Sequence, residues 1–434
     1  MSDNGSDEQH EAHRVDDAVE LAKSQDEVAQ APLEPGAVPP PSMHFASRVR
    51  GISGIVAPLL TVLLAFVMGG LVVALSGKNP LKVYNAVFNG TGLNWFFHVG
   101  NYSARIPFQT THMWFPWDTS SVAAQNLQQT ILTTAPIILT ALAVAFAFRC
   151  GMFNIGGQGQ YIAGTVFAVW LGSSFLDMNP WLHVPLVLVA GALAGAVWAG
   201  IAGILKATVG AHEVISTIML NWTAIWVAEY LFGQGGPFQG PQASIPISHD
   251  IAEGAKLPIF WGMKLLQGLS IAIFISLAML FVYWIIINRT TLGFEVRAVG
   301  FNPEAARYGG ISVARNYFLA MAISGAFAGL AGALDITGWE YHMGQNDVVP
   351  VSYVGFIGLA AALLGRNTAL GVGLSSLLFG ALINGTSGRQ LDPSIFRPDL
   401  AGNLTTIIQG LVILFVGLNL GGVLTWARRK RRRA

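Results

Sequence analysis

Ten apolar stretches, each near the length of helix that crosses a membrane, recur between residues 54 and 425. A bilayer core is ~30 Å thick and takes about 20 helical residues to cross. The stretches are 54–75, 128–148, 155–175, 185–205, 214–233, 266–287, 317–338, 348–365, 369–387 and 404–425. They are continuously apolar rather than alternating, which is the pattern of helices and not of barrel strands. The fold class is therefore all-α: a polytopic membrane helix bundle with about ten transmembrane helices. Charge agrees, because Asp, Glu, Lys and Arg make up 11% of the chain, against about 25% in a soluble domain.

Net charge is +1, but this hides a division. Residues 1–46 carry −8 and the rest +9. The acidic segment has few large apolar side chains and ends in a proline run, so 1–46 is expected to be a disordered acidic cytoplasmic tail. It lacks the pattern of a cleaved signal peptide and is expected to stay on the mature chain. Residues 47–427 form the membrane domain, and 428–434 a basic cytoplasmic tail. With the N-terminus inside, fifteen cations fall inside, among them Arg149, Lys206, Arg289, Arg297, Arg307, Arg315, Arg366 and the run 428–433; seven fall outside. The positive-inside rule then places both termini in the cytoplasm of a multi-pass plasma-membrane protein. Spans 348–365 and 369–387 are short and joined by Arg366, Asn367 and Thr368, so a re-entrant hairpin on the outer side is the competing topology.

Catalytic patterns fail in turn. His212 and Glu213 open a zinc-protease motif, but Ser216 stands where the second histidine is needed. Gly-x-Ser-Gly occurs at 51–54 and 385–388 and resembles the motif of rhomboid proteases, yet no histidine follows Ser387 and Ser53 lies beside Arg48 and Arg50. No phosphate-binding Gly-x-x-x-x-Gly-Lys-Ser/Thr occurs, and 157–162 lacks the third glycine of a dinucleotide fingerprint. The chain reads as a non-enzyme that binds no cofactor or metal. Cys150 is the single cysteine, which excludes an internal disulfide and assigns it to packing. Gly191, Gly195, Ala199 and Gly203 repeat every four residues, as do Gly325, Gly329 and Ala333, a spacing that lets helices approach closely.

Transport remains. The acids in or beside spans are Glu213, Glu229, Asp335 and Glu340, all near span ends, so no central proton relay is built. Uncharged polar residues interrupt the apolar runs at Asn154, Gln158 and Gln160, and Asn221 lies inside a span; these four are the candidates for a substrate path. Loop 288–316 holds a short helix signal: Asn302 as cap, Pro303 at the first position, Glu304 at the positive end, and Gly309 with Gly310 as the stop. A helix so short is marginal alone in water and calls for a partner surface.

Three phrases in order, AFAFRCGMFNIG at 145–156, EVISTIMLN at 213–221 and RAVGFNPEAARYGGI at 297–311, resemble the permease subunits of bacterial ABC importers. The subgroup is the simple-sugar and nucleoside permeases, related to ribose and branched-chain amino-acid permeases. The resemblance runs from about 54 to 425. It implies a transmembrane permease that imports nucleosides or simple sugars, driven by ATP hydrolysis on separate subunits. The implied partners are an ABC ATPase carrying ATP and Mg, a second homologous permease subunit and an extracytoplasmic substrate-binding lipoprotein, with the lipid bilayer around them and no nucleic acid. Asn302, Pro303, Glu304, Ala305, Ala306 and Arg307 match the segment that docks into the ATPase. The acidic tail and an enlarged first outer loop, about 92–121, depart from the pattern. The rival class is a stand-alone secondary transporter of a small polar solute.

Overall fold

The computed structural model describes residues 43–105, 112–241, 244–262, 268–344 and 353–386, with 406–408, 410–411 and 414. The acidic segment 1–42, the basic run 428–434 and most of the tenth apolar stretch lie outside the described residues. The chain divides into two units, Met1–Ile55 and Val56–Ala434. Of the first unit, residues 43–55 are helical.

Among the described residues the α-helices are, in chain order, α1 Met43–Leu75, α2 Pro80–Gly90, α3 Val122–Arg149, α4 Gly157–Ser174, α5 Pro180–Val209, α6 Glu213–Phe232, α7 Ala272–Arg289, α8 Thr291–Phe301, α9 Pro303–Tyr308, α10 Val313–Asp335, α11 Tyr353–Leu364 and α12 Ala369–Gly385. Among the described residues, α3, α5, α6, α7 and α10 with its following π-turn Ile336–Glu340 are long and apolar enough to cross a membrane. Shorter apolar helices span Leu59–Leu75, Val354–Leu364 and Ala369–Gly385. Local chemistry sets the ends. Ser121 Oγ accepts from Ala124 N at 3.2 Å to start α3, and Asn179 caps α5 with Pro180 at its first position.

The bundle is organised around α3, the most buried of the long helices. Beside it α5 and α10 pack along the two small-residue stripes, which turn out to be two halves of one contact. A Cβ on Gly195 would run into the Gly325 carbonyl, and one on Gly329 into the Gly191 carbonyl. Backbones so close gain dispersion along their whole length, the force left for helix association where lipid removes the hydrophobic one.

The enlarged loop is not irregular. Strands β1 Val99–Arg105 and β2 His112–Trp117 pair as an antiparallel hairpin, with Tyr102 opposite Phe115. Trp95, Phe96, Phe115, Trp117 and Trp261 cluster beneath it at ring separations of 5.2–6.3 Å. Asn384 on α12 ties the end of α2 to α3, its Nδ2 donating to Gly90 O at 3.1 Å and Asn126 O at 2.8 Å. A second, smaller pair is β3 Ile259–Trp261 with β4 Leu269–Ser270. The apolar run beginning at 266 enters its helix only at Ala272, because Leu269 and Ser270 are used in that strand.

Gly195→Leu and Gly329→Leu should each lower the melting temperature of the detergent-purified protein clearly, since overpacking costs about 1–3 kcal/mol or more. Gly200→Ala should do much less, because its nearest neighbour is the ring of Phe318, Cε2 lying 3.2 Å from the added methyl.

Candidate functional site: a polar knot and an exposed helix pair

The segment 150–156, which joins α3 to α4, folds back into the bundle. Ser324 Oγ on α10 donates to Ala143 O at 2.6 Å and accepts from Asn154 Nδ2 at 2.7 Å. Ala143 lies six residues before Arg149, so α4 starts roughly 9 Å inside the end of α3. Helix α11 also starts inside: Thr140 Oγ1 donates to Val354 O at 3.2 Å, while the turn after α11 accepts from Arg149 Nη2 at Asn367 O, 2.7 Å. Tyr283 of α7 donates to the same carbonyl at 2.8 Å. Helices α4 and α11 therefore begin side by side within the bundle and leave in opposite directions. Gly355 makes the approach possible, since any Cβ there would overlap the Gln158 backbone.

All four path candidates are brought together at this junction, and all are buried. Asn154 and Gln160 exchange amide hydrogen bonds of 2.9 and 3.0 Å, and Asn154 Oδ1 also accepts from Gly156 N at 2.8 Å. Asn221 on α6 accepts from Gly159 N at 2.8 Å and donates to Ile155 O at 2.9 Å. These contacts satisfy the backbone of a non-helical segment that has no water to turn to. Gln158 differs. Its Oε1 accepts from Gly355 N at 3.2 Å, but its buried Nε2 has no partner among the described residues. Three of the four thus spend their polar capacity inside the protein, while Gln158 keeps a donor.

Sequence reasoning missed Ser324, which reads as one more small residue in a packing stripe. It also missed the partners of Asp335. Tyr161 donates to Asp335 Oδ2 at 2.5 Å and Trp339 to Oδ1 at 3.0 Å. The π-turn brings Trp339 back over Asp335, four residues earlier. Cys150 is buried with Sγ 3.7 Å from Asn316 O, and burial pushes its thiol up to about 12.

Loop 288–316 is more ordered than its sequence suggests, because α8 precedes the expected short helix. Asn302 ends α8 and caps α9, its Oδ1 accepting from Glu304 N at 3.0 Å and Ala305 N at 3.1 Å. Pro303 occupies the first position, Ala306 is buried against the bundle, and Gly310 closes the end with φ 81°. Glu304 and Arg307 form an exposed pair, Oε2 to Nη1 3.4 Å. Phe301 and Tyr308 flank the helix at 91% and 94% exposure. No composition signal singled out these two aromatics, but their place on either side of a capped polar helix does.

An apolar helix bundle with a buried polar junction, and an exposed helix pair at one end, fits a multi-pass membrane permease. The chain belongs to the family described as branched-chain amino acid transport system / permease component, which it matches over residues 126–417. It is 36% identical over 369 residues to the guanosine ABC transporter permease protein NupP of Bacillus subtilis, covering 85% of this chain and 94% of that one. It is 30% identical to the nucleoside ABC transporter permease protein NupB of Lactococcus lactis, with 84% and 91% covered. The glucose ABC transporter permease protein TsgB13 of Haloferax volcanii is also 30% identical, with 83% and 86% covered. No solved structure matches. The chain is thus an ABC importer permease subunit and a multi-pass plasma-membrane protein.

Asn154→Ala should destabilise the purified protein by about 1–3 kcal/mol, because it takes away the partner of Gly156 N and both amide bonds of Gln160, while Ser324 keeps only Ala143 O. Gln158→Ala frees only Gly355 N and should cost less in the same thermal-melt assay.

Proposed function

We propose that this permease moves nucleosides into the cell. The observation that carries the reading is the 36% identity to a guanosine permease over nearly that protein's whole length. Import of a simple sugar is the second reading, favoured by the likeness to a glucose permease. The solute is uncharged and hydroxyl-rich in either case, which suits a path of neutral donors and acceptors that must also release it. Gln158, with its unused donor, is the leading path candidate, and Asn154, Gln160 and Asn221 hold the junction on which it sits.

The topology we assign has about ten spans with both termini in the cytoplasm. It rests on the fifteen-to-seven distribution of cations and on the Arg366–Asn367 turn lying at the Arg149 end of the bundle. Residues 1–46 are then a cytoplasmic acidic tail, 47–427 the membrane domain and 428–434 a basic cytoplasmic tail. The end bearing α8 and α9 faces the ATPase, and the β1–β2 hairpin faces the substrate-binding lipoprotein. A second homologous permease completes the pore. The chain itself catalyses nothing and binds no cofactor; ATP and Mg belong to the ATPase. Residues Asn302, Pro303, Glu304, Ala305, Ala306 and Arg307 dock there, with Phe301 and Tyr308 as flanking anchors.

Two tests follow. The cognate lipoprotein should show saturable thermal stabilisation by guanosine or adenosine and none by ribose; the reverse result supports the sugar reading. Glu304→Lys or Arg307→Glu should leave assembly intact, since an exposed ion pair contributes only about 0–1 kcal/mol, yet uncouple ATP hydrolysis from uptake. Normal transport in both variants would contradict the docking assignment.

A further inference from the structure

Between α7 and α12 runs an open groove of about 860 Å³, floored by α3. Leu277, Phe281 and Trp284 form one wall and Leu370, Leu374 and Leu377 the other, all six exposed. Gly373 keeps it wide, since a Cβ there would lie 3.1 Å from Leu280 Cδ1 on the facing wall. Thr134 brings the only hydroxyl among the described lining residues and donates it to Thr130 O at 2.7 Å. The groove therefore has no hydroxyl to offer a nucleoside or a sugar. It is a seat for hydrocarbon.

Its two ends differ in charge. Leu93 and Phe96 close one end. At the other, the Arg289 guanidinium lies 5.4 Å from the ring centroid of Trp284. Arg289 is exposed and has no carboxylate partner among the described residues. The hollow between α4, α5 and α6 is also apolar but lacks this polarity, because Lys206 at the corresponding end of α5 is paired with Glu213 at 2.8 Å. Length then decides between occupants. From Ile273 to Trp284 the α7 wall covers roughly 16 Å of helix, close to half of a ~30 Å hydrocarbon core. That is the depth of one leaflet, whereas a transmembrane helix of another subunit would seat along the full depth. The described part of the tenth apolar stretch is engaged elsewhere: Ile408 packs on Gly69 of α1, and no described residue of α1 lines the groove.

We propose that this groove binds one anionic phospholipid of the cytoplasmic leaflet, with an acyl chain laid along α3 and the phosphate held by Arg289. The assigned topology puts the Arg289 end on the cytoplasmic side, where basic groups between membrane helices attract anionic headgroups. Trp284 then stands at the interface, the depth at which indole is favoured. The site is separate from the polar junction and is expected whether the solute is a nucleoside or a sugar.

Native mass spectrometry of the full-length chain in mild detergent, offered equimolar phosphatidylglycerol and phosphatidylcholine, provides the test. The wild-type chain should hold one phosphatidylglycerol in preference to phosphatidylcholine. Arg289→Gln should weaken that binding roughly fivefold, the worth of one cation near an anionic lipid, and Arg289→Lys should keep most of it. Gly373→Phe and Leu374→Trp fill the groove and should each remove the bound lipid, whereas Val197→Phe, in the hollow beside α4 and α6, should not. Leu374 is exposed, so its variant keeps the test open if Gly373→Phe does not fold. Glycerol phosphate should not raise the melting temperature, because it has no acyl chain to seat. Equal binding of the two lipids, unchanged binding by Arg289→Gln, or lipid retained by a folded groove-filling variant would overturn the proposal. So would loss of the lipid when the complete complex assembles, which would assign the groove to the second permease.

Discussion

Inside a bilayer no water completes an unmade hydrogen bond, so every backbone group must find its partner in protein. This constraint shapes the centre of the permease. The chain between α3 and α4 leaves helical geometry well inside the bundle, and the cost is met by Asn154, Gln160, Asn221 and Ser324, which bind its amides and carbonyls or one another. Because these side chains come from three helices, α4, α6 and α10, besides the segment itself, the junction also fixes how those helices stand together. The start of α11 is drawn in by the same means, through Gln158 and Thr140.

The second organising force is close backbone approach. Glycine and alanine on α5 and α10 remove side-chain bulk where the two helices cross, and α4 joins them through Gly164, whose missing Cβ leaves room for Gly329. The result is a closely packed three-helix unit held by many weak contacts. At one end lies the α8–α9 pair: Asn302 ends α8 and caps α9, Gly293 and Gly300 let α8 sit tightly against its neighbours, and the rings of Phe301 and Tyr308 are left exposed.

Much of this was legible in the sequence because membrane helices are written plainly. Apolar length located the helices to within a few residues at most ends, and the asparagine–proline signal at 302–303 gave the cap and first turn of α9. The two glycine stripes were visible singly, yet nothing in either says that the other is its partner. The long loops hid more. A two-stranded hairpin at Val99–Arg105 and His112–Trp117 is too short and too rich in aromatics to stand out by alternation. The polar residues at 154–160 stood out in the sequence, but only their three-dimensional partners show that Asn154, Gln160 and Asn221 bond within the junction, whereas Gln158 Nε2 has no partner among the described residues.

The central claim is that this chain is one part of an ATP-driven importer and does not move solute by itself. Reconstitution in liposomes tests it most directly. The chain alone, given a proton or sodium gradient, should accumulate neither guanosine nor ribose, whereas the complex with its ATPase, second permease and lipoprotein should accumulate guanosine when ATP is supplied. Accumulation by the chain alone under an ion gradient would contradict the account.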